Sequence, residues 1–243
     1  MEQAFQRTVR RVRHELHRRD VVVARTEPLG PHFVAITFHS DSLAGFLSLS
    51  FDDHVNFMFE GADGEQVRRD YTPRRFDAQA RELTIELALH GDGAASNWAR
   101  RAKAGDRAVI GGPRGSMIIP MDFDWYLLMG DASALPAMRR RLEELPAGAR
   151  VIAVAALAEE DRVPFAGLTR AEVHWVDDAD ALVETVRSLA LPPGEGYAWA
   201  GGEAQAMRSL RAVLADDKGL SKDAMRVSAY WKRGVADHHE DLG

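Results

Sequence analysis

The feature that most constrains this chain is a change of rhythm near residue 124. Before it, apolar residues come in short β-branched and aromatic stretches interleaved with polar ones, as in "HFVAITFHS" and "HVNFMFE". After it they come in unbroken runs, "WYLLMG" and "ARVIAVAALAE", with "SALPAMRRRLEEL" reading as a helix between them. A period of two marks strands with one wet face, whereas an unbroken run marks a strand buried on both faces in a helix-covered parallel sheet. One sheet cannot satisfy both patterns. The sequence therefore predicts two domains, 1–121 and 122–243, with the boundary between Ile119 and Asp124, where Pro120 punctuates.

In the first half, "DVVVARTEPL", "HFVAITFHS", "HVNFMFE", "QVRRDYTPRRFD", "ELTIELALH" and "RAVIGGPRGSM" read as strands, and "AASNWARRAKA" as a helix. The expectation is a six-stranded antiparallel barrel. In the second half, "ALVETVRSLAL", "GYAWAGG", "EAQAMRSLRAVLADD" and "AMRVSAYW" continue the alternation of strand and helix, which predicts a three-layer α/β/α domain with a mostly parallel sheet. The leading "MEQAFQRTVRRVRHELHRRD" places Phe5, Val9, Val12 and Leu16 at helical spacing, so a basic amphipathic helix or tail is expected there.

Composition excludes several chemistries. The chain has no cysteine, which removes disulfides, thiolate metal sites, cysteine nucleophiles and iron–sulfur clusters. Redox work would need a bound organic cofactor or a substrate metal. A net charge of −6 argues against a general nucleic-acid binder. No run of about 18 apolar residues exists, so no membrane span is expected. The N-terminus lacks a secretory apolar core, so a cytoplasmic location is expected. Nothing in the sequence demands a partner subunit, and a monomer is the expectation.

Five motifs are candidates for chemistry. In "RDYTPR", strand alternation puts Arg69 and Tyr71 on one face and Thr72 and Arg74 on the other. An arginine fork suits phosphate and a tyrosine offers a flat ring or a hydroxyl. A plain barrel strand with surface arginines is the competing reading. "HGDGAASNWARR" leads from a glycine-rich turn into a helix, and such a start presents free amides to an anion; simple capping is the alternative. "GDASALPAM" and "WAGGEAQAM" are strand-to-helix turns of the kind found at the carboxyl ends of open α/β sheets, where ligands bind, and Glu203 suits a helix start. The end of the chain, "YWKRGVADHHE", joins aromatic and basic residues; adjacent His238, His239 and Glu240 make a poor metal cage, and no metal site is expected. No serine triad, Walker A or HExxH pattern is present.

The motifs "RDYTPR", "HGDGAASNWA", "GDRAVIGGPRGS", "GDASALPA", "WAGGEA" and "YWKRGVADHH" occur in that order over roughly residues 20 to 240. In this the chain resembles the siderophore-interacting protein family, flavin-dependent ferric-siderophore reductases within the ferredoxin–NADP reductase-like group. The resemblance implies an FAD-binding barrel followed by an NAD(P)H-binding domain. It implies that Arg69, Tyr71, Thr72, His90, Gly91, Asp92, Ala95 and Ser96 hold FAD. Gly130, Asp131, Ser133, Ala134, Pro136, Gly201, Gly202 and Glu203 would meet NAD(P)H. Arg74, Arg114, Lys232 and Arg233 would attract an anionic ferric siderophore or other ferric chelate. The implied reaction passes a hydride from NAD(P)H to the flavin and single electrons from it to Fe(III), with no protein acid or base as catalytic residue. Family members often carry a lysine where this chain has Asn56. A general flavin or ferric reductase, a ferredoxin-driven variant and a non-catalytic flavin-bearing siderophore binder are the alternatives. Arg139, Arg140 and Arg141 read either as partners of a 2′-phosphate or as a solvated helix face.

Overall fold

The structure is a computed structural model, and it describes residues 7–89, 91–162, 171–235 and 240–242. Two compact units divide the chain, with residues 11–117 in one, and 7–10 and everything from Ile118 onward in the other.

In the N-terminal unit the strands are β1 (Arg10–Arg13), β2 (Arg18–Pro28), β3 (Phe33–His39), β4 (Val55–Glu60), β5 (Gln66–Tyr71), β6 (Arg75–Asp77), β7 (Glu82–Ala88), β8 (Arg107–Gly111) and β9 (Gly115–Ile118), with one helix, α1 (Ala94–Arg101). Among the described residues seven of these strands form an antiparallel sheet in the order β5-β4-β8-β2-β3-β7-β6, while β1 pairs with β9. The count exceeds the expected six because "QVRRDYTPRRFD" breaks at Thr72–Arg74: Pro73 has no N–H for a ladder, and the chain resumes as β6. The sheet curls around Phe38, Phe57, Phe59, Ile85, Ile110 and their neighbours. Helix α1 drops Trp98 into this core, its ring 4.9 Å from Phe57 and 5.4 Å from Phe59.

The expected N-terminal helix is corrected. Residues 10–13 are a strand, and His14 N–H continues the contact by donating to Arg114 O at 3.0 Å. Pairing with β9 satisfies backbone groups that a solvated helix would have to satisfy alone, and β-branched Val12 suits it.

The C-terminal unit holds β10 (Trp125–Asp131), α2 (Leu135–Glu144), β11 (Val151–Ala156), β12 (Ala171–Val176), α3 (Ala179–Ser188), β13 (Gly196–Glu203), α4 (Ala204–Ala212), β14 (Met225–Trp231) and β15 (Glu240–Asp241). Among the described residues the sheet order is β12-β11-β10-β13-β14-β15, parallel except for β15. Trp125, Leu127 and Met129 of β10 meet Leu182 and Val186 of α3 and Met207 and Leu210 of α4. On the other face α2 lays Arg141 over the Tyr126 ring, 5.0 Å from its centroid. This is the three-layer arrangement. Strand order reverses between β10 and β13, so their carboxyl ends form the switch point at which such sheets take ligands. Strand β12 is short and was not among the strands read from sequence.

Candidate active site

Register builds the N-terminal site. On β5, Arg69 lies opposite Phe57, and Tyr71 opposite Val55, on the face that carries the aromatic core. Arg69 and Tyr71 therefore share a face, as alternation requires. Tyr71 packs edge-on against Phe57 at 5.8 Å. Burial pushes its phenol up to about 12, and the nearby Arg69 charge only partly offsets this. Thr72 is buried at the end of the strand.

Helix α1 packs against β3, β5 and β7. Its N-cap is Gly93, and among the described residues no side chain caps it. The first intrahelical bond is Asn97 N–H to Gly93 O at 2.9 Å, which leaves the amides of Ala94, Ala95 and Ser96 without an intrahelical acceptor. Ser96 itself is buried within the first turn. Gly91 and Asp92 are held through their carbonyls, by Arg100 Nη1 at 2.9 Å and Asn97 Nδ2 at 2.9 Å. A cation, an aromatic ring and an uncapped helix start on one sheet edge fit a flavin dinucleotide. His90 lies outside the described residues.

The opposite face of the same strands carries something the sequence reading had only in fragments. Asn56 on β4 faces Asp70 on β5 and Gly111 on β8. Its amide Nδ2 donates to Asp70 Oδ1. Around them His54, Arg68, Gly112 and Arg114 close a cleft of about 210 Å³. Buried Arg19 holds one wall, donating to Gly112 O at 3.1 Å while lying 5.4 Å over the Phe46 ring. Of the four cations assigned to the chelate, Arg114 is in this cleft.

Arg74 is not, and its assignment is corrected. It is 2% exposed, and its Nε lies 3.2 Å from Glu86 Oε1 on β7. Its backbone N–H donates to Thr84 O at 2.9 Å, which sets it beside β7, and a guanidinium buried against a carboxylate has no surface to offer a chelate.

In the C-terminal unit Gly130 and Gly201 sit side by side at the switch point. A Cβ on Gly130 would lie 2.4 Å from Gly201 O and 2.5 Å from Ala134 Cβ, so only glycine allows that approach. Ala134 precedes α2, and Pro136 occupies its first turn, where its missing N–H costs nothing.

Asp131 is more than a turn residue. Its Oδ1 accepts from Ser133 N–H at 2.9 Å and from Ser133 Oγ at 2.5 Å. Its Oδ2 accepts from Glu203 N–H at 2.9 Å and from Trp231 Nε1 at 2.9 Å. A Cβ on Gly202 would fall 2.7 Å from the same Oδ2. The carboxylate thus ties the ends of β10, β13 and β14 together. Glu203 stands at the helix start, as its sequence position suggested. Its Oε2 caps α4 through Gln205 N–H at 2.6 Å and Ala206 N–H at 3.2 Å, and its Oε1 accepts from Arg233 N–H at 3.4 Å. Burial pushes its carboxyl up, but the amides of Gln205, Arg233 and Ala206 together outweigh that and leave it below the usual range.

Lys232 and Arg233 are exposed on the turn after β14. Both readings of the arginine run fail for Arg141, which is buried and donates to Pro120 O at 2.8 Å. Arg140 is taken up by Glu144, 2.7 Å away. Glu240, read beside two histidines outside the described residues, meets Arg208 Nη2 at 3.0 Å.

Comparison with known proteins then decides the family. Residues 60–117 match the siderophore-interacting FAD-binding domain and residues 123–234 match the siderophore-interacting protein domain. The NADPH-dependent ferric-chelate reductase of Escherichia coli (strain K12) is 30% identical over 246 residues, covering 91% of this chain and 95% of the relative. The chain belongs to the siderophore-interacting protein family. Another relative is the ferric vibriobactin reductase of Vibrio cholerae, 26% identical over 89% of this chain and 91% of its own length. Among solved structures, a siderophore utilization protein from T. fusca superposes with a TM-score of 0.88 at 32% identity, covering 96% of this family member and 98% of that chain.

Proposed function

We propose that this family member is an FAD-dependent oxidoreductase that passes electrons from NAD(P)H to Fe(III) held in a siderophore or similar chelate, so that iron leaves as Fe(II). The observation that carries the reading is the pairing on β5 of a flavin-type edge, Arg69 and Tyr71 beside α1, with an arginine-lined cleft on the opposite face. It is supported by relatives named for ferric-chelate and ferric-vibriobactin reduction that match nearly the whole chain.

In this reading Arg69 and the backbone amides of the first turn of α1 neutralise the FAD pyrophosphate, with Gly91 and Asp92 forming the turn beside it. Tyr71 and Thr72 hold the remainder of the nucleotide. Bound FAD supplies two-electron acceptance from a nicotinamide and one-electron release to iron. The glycine pair Gly130 and Gly201 leaves open backbone for NAD(P)H at the switch point. Ser133, Ala134 and Pro136 shape the α2 start, while Asp131 and Glu203 hold the turns. Arg68 and Arg114 draw the chelate into the cleft, and Lys232 and Arg233 add exposed positive charge in the C-terminal unit. Hard oxygen donors bind Fe(III) far better than Fe(II), so reduction itself releases the metal. The reaction belongs where NAD(P)H is abundant, in the cytosol.

The test is anaerobic. NADPH or NADH should bleach the flavin of the purified yellow protein, and a ferric chelate should then restore its colour while a ferrous trap reports Fe(II). Failure of both nicotinamides to bleach it would remove the donor. Bleached protein that ignores every ferric chelate would remove the acceptor.

A further inference from the structure

The cleft contains a carboxylate that a site built only to attract anions would not have. Arg68 and Arg114 bring two positive charges, and Asp70 brings one negative charge into the same lining. Asp70 is met by the neutral amide of Asn56 rather than by a cation. Its charge is therefore presented to whatever enters. At about 210 Å³ the cleft admits one arm of a chelate rather than a whole complex.

Building on the ferric-reductase reading, we propose that Asp70, oriented by Asn56, is a specificity determinant of this cleft, weakening its preference for highly anionic ferric chelates of the tris-catecholate class relative to neutral ones of the trihydroxamate class. A carboxylate repels a trianion three times as strongly as a monoanion, and a neutral complex not at all. It also accepts a hydrogen bond from an N–H or O–H donor on a chelate arm. Arg68 and Arg114 attract a trianion more than Asp70 repels it, so the carboxylate trims the gain of an anionic complex and leaves that of a neutral one almost unchanged. Asn56 matters because its amide fixes the carboxylate without cancelling its charge.

The experiment compares holoprotein and Asp70→Asn, an isosteric change, in anaerobic reoxidation of NADPH-reduced flavin by a ferric tris-catecholate and by a neutral ferric trihydroxamate. The readout is the ratio of kcat/KM for the two chelates, which cancels any change in flavin content or in the nicotinamide step. Across roughly 7 Å of water-rich cleft at physiological salt, Asp70→Asn should raise the catecholate-to-hydroxamate ratio about threefold to fivefold. The rise should shrink at high salt. Asn56→Lys, which sets a cation beside Asp70, should move the ratio the same way. A ratio that stays within about twofold of wild type for both variants, with both chelates still reacting, would overturn the assignment while leaving the reductase reading intact. If neither chelate reoxidises the wild-type flavin, the reductase reading fails and this assignment falls with it.

Discussion

Arg74 offers the sharpest test of how this chain uses its arginines. Its guanidinium and the Glu86 carboxylate are 1% and 7% exposed and 3.2 Å apart, on the face of β7 opposite the aromatic core. Arg74→Met removes the cation and leaves the Glu86 charge buried without it. Breaking a buried pair from one side costs about 3–5 kcal/mol, because the remaining ion still bears its desolvation penalty. Replacing both, Arg74→Met with Glu86→Leu, should recover most of that loss, since apolar side chains of similar volume bear no such penalty. A unit of this size loses about 4–8 °C of Tm per kcal/mol, so Arg74→Met should lower Tm by roughly 12–40 °C and the double variant by only a few degrees. Thermal and urea unfolding of the holoprotein give the cycle, and ferric-chelate turnover of the double variant gives the functional arm. The reasoning is refuted if Arg74→Met costs less than about 1 kcal/mol. It is equally refuted if the double variant is stable, keeps its FAD and loses chelate turnover, because Arg74 would then be meeting ligand.

Arg69→Ala should weaken FAD binding by about tenfold to a hundredfold through loss of a charge-assisted phosphate contact, read by flavin fluorescence titration; full flavin occupancy in the variant would contradict the role. Asp131→Asn turns one side of the carboxylate into a donor facing the N–H groups of Glu203 and Trp231, so KM for NADPH should rise with FAD content unchanged, and the emission of Trp231, 40% exposed and hydrogen-bonded to Asp131, should shift. Unchanged emission would show that the indole is not held there. Because burial raises the Tyr71 phenol from 10 to about 12, its contribution to stability is complete below pH 10 and is lost as pH rises towards 12. Tyr71→Phe should therefore flatten the alkaline limb of the stability–pH curve over that window, and an unaltered limb would contradict the burial argument.

Much of the architecture was legible because its signals are local. The period of two in "HVNFMFE" and the unbroken "WYLLMG" each specify which faces of a strand are buried, whatever the rest of the chain does. The turns at Gly130 and Gly201 were readable for the same reason. The N-terminal strand β1 was not, since the helical spacing of Val9, Val12 and Leu16 says nothing about a partner strand a hundred residues away. The cleft was half-read: Arg114 and Asn56 were singled out, but their company with His54, Arg68 and Asp70 depends on β5-β4-β8 lying side by side in one register.

The sequence by itself determined the two sheet types, the order of the motifs and the place of the glycine turns, all properties of neighbouring residues and their backbone preferences. Tertiary structure alone decided what each charge does. Arg74 and Arg141 look in sequence like their exposed neighbours, yet both are buried against partners supplied by other elements. Asp131 reads as one polar residue in a turn, and becomes a clamp because donors 72 and 100 residues later arrive at its carboxylate. A charge has no local signature of its partner, because Coulomb and hydrogen-bond energies depend on distance in space, which only the completed packing sets.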